Sequence, residues 1–252
     1  MAEKKKHVVL TGTSSGLGEY FLLRRPDSKI VKTKTFDRDI KDILNSRKDI
    51  DLLIHCAHAS AFESNYCVDN YAEYLRTNVI HTEKLIDTLK PKKVVHISSV
   101  DVHSPKHTNY KLTKAMSENI VRAKVKDNLI LRCSAIFGPT MRDNSVLKVI
   151  KYNNSELKLA SHSLFNCILQ KDVFEFVEMA VERGMRGTFD FVSSTYMSLE
   201  NVCKRYDTQI TFGKEVYITP VVSNEAIKRA FPQADRTSEE VLDIIIGGLT
   251  NV

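Results

Sequence analysis

Val8-Val9-Leu10-Thr11-Gly12-Thr13-Ser14-Ser15-Gly16-Leu17-Gly18 is the stretch on which the reading of the fold turns. Apolar and β-branched residues from His7 to Leu10 predict a first strand. Gly12, Gly16 and Gly18 then let the backbone turn tightly and enter a helix. A turn of that kind lets the chain approach a pyrophosphate, whose charge is met by free N–H groups and the positive end of the helix. Ser14 and Ser15 add hydroxyl donors, and Leu17 completes the cradle. Without a ligand, the same turn is simply a short strand-to-helix connection.

Working outward, four further β-branched runs recur with helical stretches between them: Lys29–Thr33, Leu52–Cys56, Val94–Ile97 and Leu129–Arg132. Strands apolar on both faces and separated by helices are what a parallel sheet covered by helices requires, so the fold class is α/β with a doubly wound parallel sheet. Tyr71 to Leu89 reads as one amphipathic helix stopped by Pro91, and Lys111 to Lys124 as a second. Beyond Pro139 the segments shorten, with a helix near Val173–Glu182 ending at Gly184 and a strand at Thr188–Val192. The division is placed near residue 140, with 1–140 the nucleotide-binding part and 141–252 a substrate-binding portion that also completes the sheet.

An acidic residue about 20 positions after the glycine turn is expected to hold the adenosine ribose hydroxyls. Asp37 lies at that distance, but Asp39 competes, and Arg38 is equally suited to a 2′-phosphate. A solvated Asp37-Arg38-Asp39 turn is the plainer alternative, and NAD versus NADP stays open.

The strongest local signal is Tyr110-Lys111-Leu112-Thr113-Lys114 at the start of a helix. Residues four apart share a helix face, so the Lys114 ammonium is placed to lower the phenol pKa of Tyr110 and to hold a nicotinamide ribose. A phenol ordinarily titrates near pH ~10, too high for a base at neutral pH, so a fixed cation is the needed correction. Just upstream, the apolar run Val94-Val95-His96-Ile97 ends in Ser98-Ser99, and Ser99 is placed to hydrogen-bond a substrate oxygen.

Composition narrows the rest. Of 252 residues, 42% are hydrophobic and 27% charged, and no unbroken apolar run reaches the length of a membrane helix. The charged N-terminus has no signal-peptide h-region, which points to the cytoplasm. Five cysteines, Cys56, Cys67, Cys133, Cys167 and Cys203, lack CxxC spacing and read as buried thiols in a reducing compartment. The formal charge of +6 is spread over many segments without an RNA-binding signature, which argues against nucleic acid and for anionic metabolites. His55, His58, His96 and His103 fall near strand ends, but they read as core or cleft residues rather than metal ligands. Cys56 beside His55 is no nucleophile pair, since adjacent strand residues face opposite ways.

These segments together resemble the short-chain dehydrogenase/reductase superfamily and, from about residue 7 to 200, most of all its NAD-dependent epimerase/dehydratase (extended) branch. The likeness is carried by TGTSSGLG at 11–18, LLIHCAH at 52–58, TNVIHTEKLID at 77–87, HISSVDVH at 96–103, YKLTK at 110–114, LRCSAIFGP at 131–139 and GTFDFVSS at 187–194. It implies Ser99, Tyr110 and Lys114 as the catalytic set, with Ser99 preferred to Ser98 from its place before Val102-His103. It implies that Asn78 supports the active-site helix or a water linked to Lys114, and that Ala57 and His58 line the cofactor cleft. Arg132 to Pro139 would form the strand and loop leading to the substrate.

Three departures qualify the resemblance. The glycine spacing is that of the single-domain branch, the Ser99-to-Tyr110 interval is short, and Val100-Asp101 stands where sugar-nucleotide dehydratases carry Asp-Glu. Dehydration is therefore disfavoured. The expected protein is an NAD- or NADP-dependent oxidoreductase, a nucleotide-sugar epimerase or keto-sugar reductase, with Arg142, Lys148 and Lys151 available to a diphosphate. The alternatives are a non-catalytic NAD(P)-binding regulator and a reductase of a non-sugar ketone. A homodimer is expected through the two long helices, with Tyr71, Tyr74 and Met116 as contacts.

Overall fold

The structure is a computed structural model that describes residues 6–46, 49–59 and 71–249. Met1–Lys5 and Cys67 lie outside the described residues.

Six strands form the central sheet: β1 (Val8–Thr11), β2 (Lys29–Val31), β3 (Leu52–His55), β4 (Lys93–Ser99), β5 (Asn128–Cys133) and, far later in the chain, β10 (Gly187–Phe191). They lie in the order β10-β5-β4-β3-β1-β2, and every pairing is parallel. The short strands β6 (Ala135–Phe137), β7 (Ser155–Leu159), β8 (Leu164–Phe165), β9 (Cys167–Leu169), β11 (Met197–Ser198) and β12 (Ile210–Glu215) make three two-stranded pairs outside this sheet.

The alternation of side chains along each strand explains why the sheet needs helices on both faces. Val8 and Leu10 of β1 turn to one face and pack with α1 (Gly16–Arg24) and α7 (Gln170–Glu182), through Leu17, Phe21, Val173, Phe176 and Val177. Val9 turns to the other and packs with α2 (Phe36–Ser46), α4 (His81–Leu89) and α5 (Asn109–Lys124), through Ile40, Leu85, Leu89 and Val121. The helix expected from Tyr71 to Leu89 is continuous but not uniform: α3 (Tyr71–Tyr74) passes into a π-helical stretch, Leu75–Ile80, before α4.

A third cluster, built from Phe137, Val146, Leu157, Leu169, Leu199, Val202 and Leu242, gives the C-terminal portion a core of its own. It gathers α6 (Ser145–Lys151), α8 (Leu199–Tyr206) and α10 (Ser238–Leu249) around the small strand pairs, while α9 (Glu225–Ala230) packs back toward β10. Since the chain crosses from β2 on one side of β1 to β3 on the other, a crevice opens at the carboxyl ends of β1 and β3, where open α/β sheets bind their ligands. No described helix is long and apolar enough to cross a membrane.

Candidate dinucleotide and catalytic site

The crevice is lined by Thr11, Val31, Thr33, Phe36, His55, Ala57, Thr77, His81 and Leu85. Gly12 leaves β1 with φ +72°, and a Cβ there would stand 2.6 Å from the Ala57 nitrogen. At Gly18 an added Cβ would meet the Gly12 carbonyl oxygen at 2.2 Å, so helix and strand are in backbone contact. Ser15 caps α1 in extended conformation without a side-chain capping bond. Gly12 and Gly18 thus serve the close packing of β1, α1 and the segment after β3, and of the three glycines only Gly16 has open space where a Cβ would stand.

The segment at the expected division, Thr140 to Arg142, lies across the glycine turn. The Gly16 N–H donates to the Thr140 carbonyl at 2.6 Å, and Thr140 Oγ1 donates back to the Gly16 carbonyl at 2.7 Å. Arg142 Nε donates to Ser15 Oγ at 2.8 Å. Of the three basic residues expected near a diphosphate, only Arg142 reaches the glycine turn; Lys151 pairs with Asp143, and Lys148 is exposed on α6.

The acidic residues after β2 do not face the crevice. Asp37 sits in the first turn of α2, is 76% exposed and pairs with Lys84 at 2.6 Å. Asp39 accepts from the Lys32 N–H and from Thr35 Oγ1, which ties it into the turn that opens α2. Arg38 is 71% exposed on the same helix. The residues that directly follow the strand are Lys32, Thr33 and Lys34, and Thr33 is the one that lines the crevice.

On the other side of the crevice, β4 runs past the end of β3, whose last paired residue is His55 opposite His96. Of the three further residues, Ile97, Ser98 and Ser99, the two serines point to opposite faces. Ser98 Oγ donates to Glu118 at 2.6 Å, in a buried cluster where Arg122 and Arg132 also bind that carboxylate. Ser99 caps the short 3-10 turn Val100–His103, accepting from the Asp101 N–H at 3.2 Å, and lies near Tyr110. Thr108 caps α5 by accepting from the Lys111 N–H, which sets Tyr110 and Lys114 on the first turns of the helix facing β4.

Lys114 is 1% exposed and donates from Nζ to the Ile97 carbonyl at 2.6 Å. Burial lowers its pKa to about 8. Contrary to the sequence expectation, the phenol of Tyr110 is moved up from its ordinary value, first by burial and then by the nearby Asp101 carboxylate. Lys114 is not among the groups that act on it in this geometry. Asn78, in the π-helical stretch, accepts from the Ala59 N–H at 2.8 Å and donates to Thr113 Oγ1 at 3.0 Å, fastening the start of α5 to the segment after β3. Ala57 donates its N–H to Thr11 Oγ1, and the exposed His58 ring stands edge-on to Tyr110 at 6.1 Å.

The sequence reading missed two neighbours of Tyr110. Asp101 accepts a hydrogen bond from Tyr217 Oη at 3.1 Å, and its backbone N–H donates to Ser99 Oγ. Nothing local marks Tyr217, which reaches the site only through the folding of the C-terminal portion. The two buried histidines are framework: His55 lies between Thr11 and Thr82, and His96 bonds Ser117. Cys56, Cys133 and Cys167 are buried free thiols, whereas Cys203 is partly exposed. Among the described residues no cluster of three or more His, Cys, Asp or Glu is placed to hold a metal ion.

A six-stranded parallel sheet, a crevice at its topological crossover and a glycine turn beneath it define a Rossmann-type α/β protein. The chain belongs to the NAD dependent epimerase/dehydratase family, whose family model matches residues 2–172. No curated protein is significantly similar to it in sequence. Among solved structures it is similar to MoeE5 in complex with UDP-glucose and NAD, at 17% identity and a TM-score of 0.79, covering 97% of this chain and 99% of that one. A dTDP-4-dehydrorhamnose reductase from Clostridium acetobutylicum is 20% identical with a TM-score of 0.74, covering 97% and 99%. UDP-glucuronic acid 4-epimerase from Bacillus cereus, in complex with UDP-glucuronic acid and NAD, is 18% identical with a TM-score of 0.74, covering 95% and 97%. At these identities the likeness establishes the fold.

Proposed function

We propose that this chain is a nicotinamide-dinucleotide-dependent oxidoreductase acting on a nucleotide sugar, as an epimerase or keto-sugar reductase. The observation that carries the reading is the placement of Ser99 at the end of β4 with Tyr110 and Lys114 on the first turns of the neighbouring α5, in a chain whose first strand ends in the glycine turn at Gly12 to Gly18. Gly12, Ser14, Ser15, Gly16, Leu17 and Gly18 hold the pyrophosphate, with Arg142 as an added cation; Ala57, His58 and Asn78 shape the cleft. A bound nicotinamide supplies the hydride acceptor or donor. The protein's own part is proton chemistry: Ser99 fixes the substrate oxygen, and Tyr110, held protonated by burial, gives that oxygen its proton during reduction.

For the dinucleotide, the basic stretch Lys32-Thr33-Lys34 at the end of β2 favours a 2′-phosphate, since no carboxylate there is free to take the ribose hydroxyls. A homodimer through α4 and α5 is part of the proposal. Relatives of known structure bind UDP-glucose or UDP-glucuronic acid together with NAD, which supports the choice of substrate class. The test is a panel of nucleotide sugars and their 4-keto forms with NADPH and NADH, followed by nicotinamide absorbance and product analysis. Turnover of at least one member, lost in Tyr110→Phe, is expected. Inertness toward the whole panel in protein that binds the dinucleotide would favour a binding regulator instead.

A further inference from the structure

Segment 138–142, between the end of β6 and the start of α6, is tied to the glycine turn by hydrogen bonds in both directions. The Gly16 N–H donates to the Thr140 carbonyl at 2.6 Å, and Thr140 Oγ1 donates to the Gly16 carbonyl at 2.7 Å. From behind, Gln170 Oε1 accepts from the Thr140 N–H at 3.3 Å and lies 3.1 Å from Thr140 Oγ1. Both ends of the segment are anchored, since Phe137 and Val146 are fully buried in the core of the C-terminal portion. Between those anchors it forms a short strap over the start of α1.

Gly16 is the first residue of α1, and its N–H belongs to the set of donors at a helix start that have no partner within the helix. In a strand-to-helix glycine turn those N–H groups, at the positive end of the helix, are the ones that meet an anion. Gly16 has φ +62° and open space where a Cβ would stand, so no side chain of its own screens this N–H. A backbone N–H carries one proton. A carbonyl oxygen and a phosphate oxygen repel each other, so they compete for it.

We propose that the Thr140 carbonyl is an internal stand-in for a dinucleotide phosphate, holding the Gly16 N–H in the free protein, and that the dinucleotide binds by displacing it. This rests on the reading of the glycine turn as the pyrophosphate site. The exchange replaces a neutral acceptor by an ionised one, which makes the stronger hydrogen bond. Gln170 supplies partners for the displaced strap. Its Oε1 is already within reach of the Thr140 hydroxyl, and its Nε2 is a buried donor without a hydrogen-bond partner in the closed arrangement, ready for the carbonyl that Gly16 releases. Arg142, 2.8 Å from Ser15 Oγ, stays at the helix start as a cation for the phosphate. Since only the open fraction of the protein is competent to bind, the closed strap lowers the apparent affinity by that fraction. Thr140 is a positioning residue that sets dinucleotide affinity through the strap.

Thr140→Val removes the hydroxyl that locks the strap while keeping the shape of the side chain, and it should favour the open arrangement. Calorimetric titrations with NADPH and, separately, with inorganic pyrophosphate should show binding tightened roughly 2- to 10-fold over wild type, the effect of deleting one hydrogen bond from the competing state. Hydrogen exchange followed by NMR gives a readout without any ligand: the Gly16 amide of the free protein should be protected in wild type and less so in Thr140→Val. Binding that is unchanged or weaker in the variant overturns the proposal. So does a Gly16 amide that exchanges freely in wild type. Wild-type protein with a protected Gly16 amide that binds neither NADPH nor pyrophosphate would overturn the reading of the glycine turn itself, and the proposal with it.

Discussion

Arg142 Nε lies 2.8 Å from the Oγ of Ser15, the N-cap of α1, so a guanidinium and the positive end of a helix face each other. Two positive ends in such proximity are stabilised by an anion between them. Arg142→Ala should therefore weaken dinucleotide binding roughly 10- to 100-fold, as expected for a charge-assisted bond to phosphate. The loss should shrink at high salt. Lys148→Ala, one turn into α6, should leave affinity unchanged in the same calorimetric titration.

The end of β2 carries the cofactor choice. NADPH is expected to bind more tightly than NADH, and Lys32→Glu with Lys34→Glu should reverse or erase that preference. Asp37→Ala should alter neither affinity, since its carboxylate is spent on Lys84 in solvent. Competition between the two dinucleotides, followed by nicotinamide fluorescence, decides the matter; tighter NADH binding would return Asp37 to consideration.

Glu118 is the buried charge on which the back of the site depends, with its side chain 2% exposed and bound by Ser98, Arg122 and Arg132. Burial pushes its carboxyl up, but the hydrogen bonds of Arg132, Ser98 and Arg122 outweigh this and hold it below the usual range. Glu118→Ala leaves Arg132 without that partner, and the loss should approach the lower end of the ~3–5 kcal/mol seen on breaking a buried pair. For a chain of this size that lowers Tm by roughly 6–12 °C. Since the folded pKa is depressed, the stabilisation is complete above the unfolded value near ~4.3 and fades as pH falls through the folded one. Thermal melts from pH 7 downward should show that acid-dependent part lost in Glu118→Gln.

The exposed apolar residues Tyr71 and Ile80 on the helical stretch that leads into α4, and Leu112 and Met116 on α5, support association through the outer faces of these helices. Tyr74, expected among the contacts, is 4% exposed and belongs to the core. Sedimentation at micromolar concentration should show a dimer that Met116→Glu converts to monomer; a monomeric wild type would remove this part of the proposal.

The sheet was legible because its strands are short, apolar and punctuated, and the expected bounds of β1 to β5 lie within two residues of those observed. Ser99, Tyr110 and Lys114 were legible for a related reason, since a strand end and the next helix start meet by local connection. Asp37 was chosen by counting residues from the glycine turn, and the structure places it on α2, paired with Lys84. Strand β2 ends at Val31, and the chain enters a 3-10 turn before Asp37, which carries that residue onto a helix. Helical periodicity placed Tyr71 and Tyr74 together but does not distinguish core from outer face. Tyr217 and Arg142 could not be read at all as neighbours of Asp101 and Ser15, because contacts made across more than a hundred residues depend on how the C-terminal portion packs.

The central claim is that the glycine turn binds a nicotinamide dinucleotide and that Tyr110 acts on what is bound beside it. Titration of the purified protein with NADPH and NADH, read by nicotinamide fluorescence, tests it most directly. Saturable binding is predicted for wild type and, at unchanged affinity, for Tyr110→Phe, whose turnover should fall by roughly 10²–10⁴-fold. Lys114→Met should bind more weakly. Failure of wild-type protein to bind either dinucleotide would contradict the account.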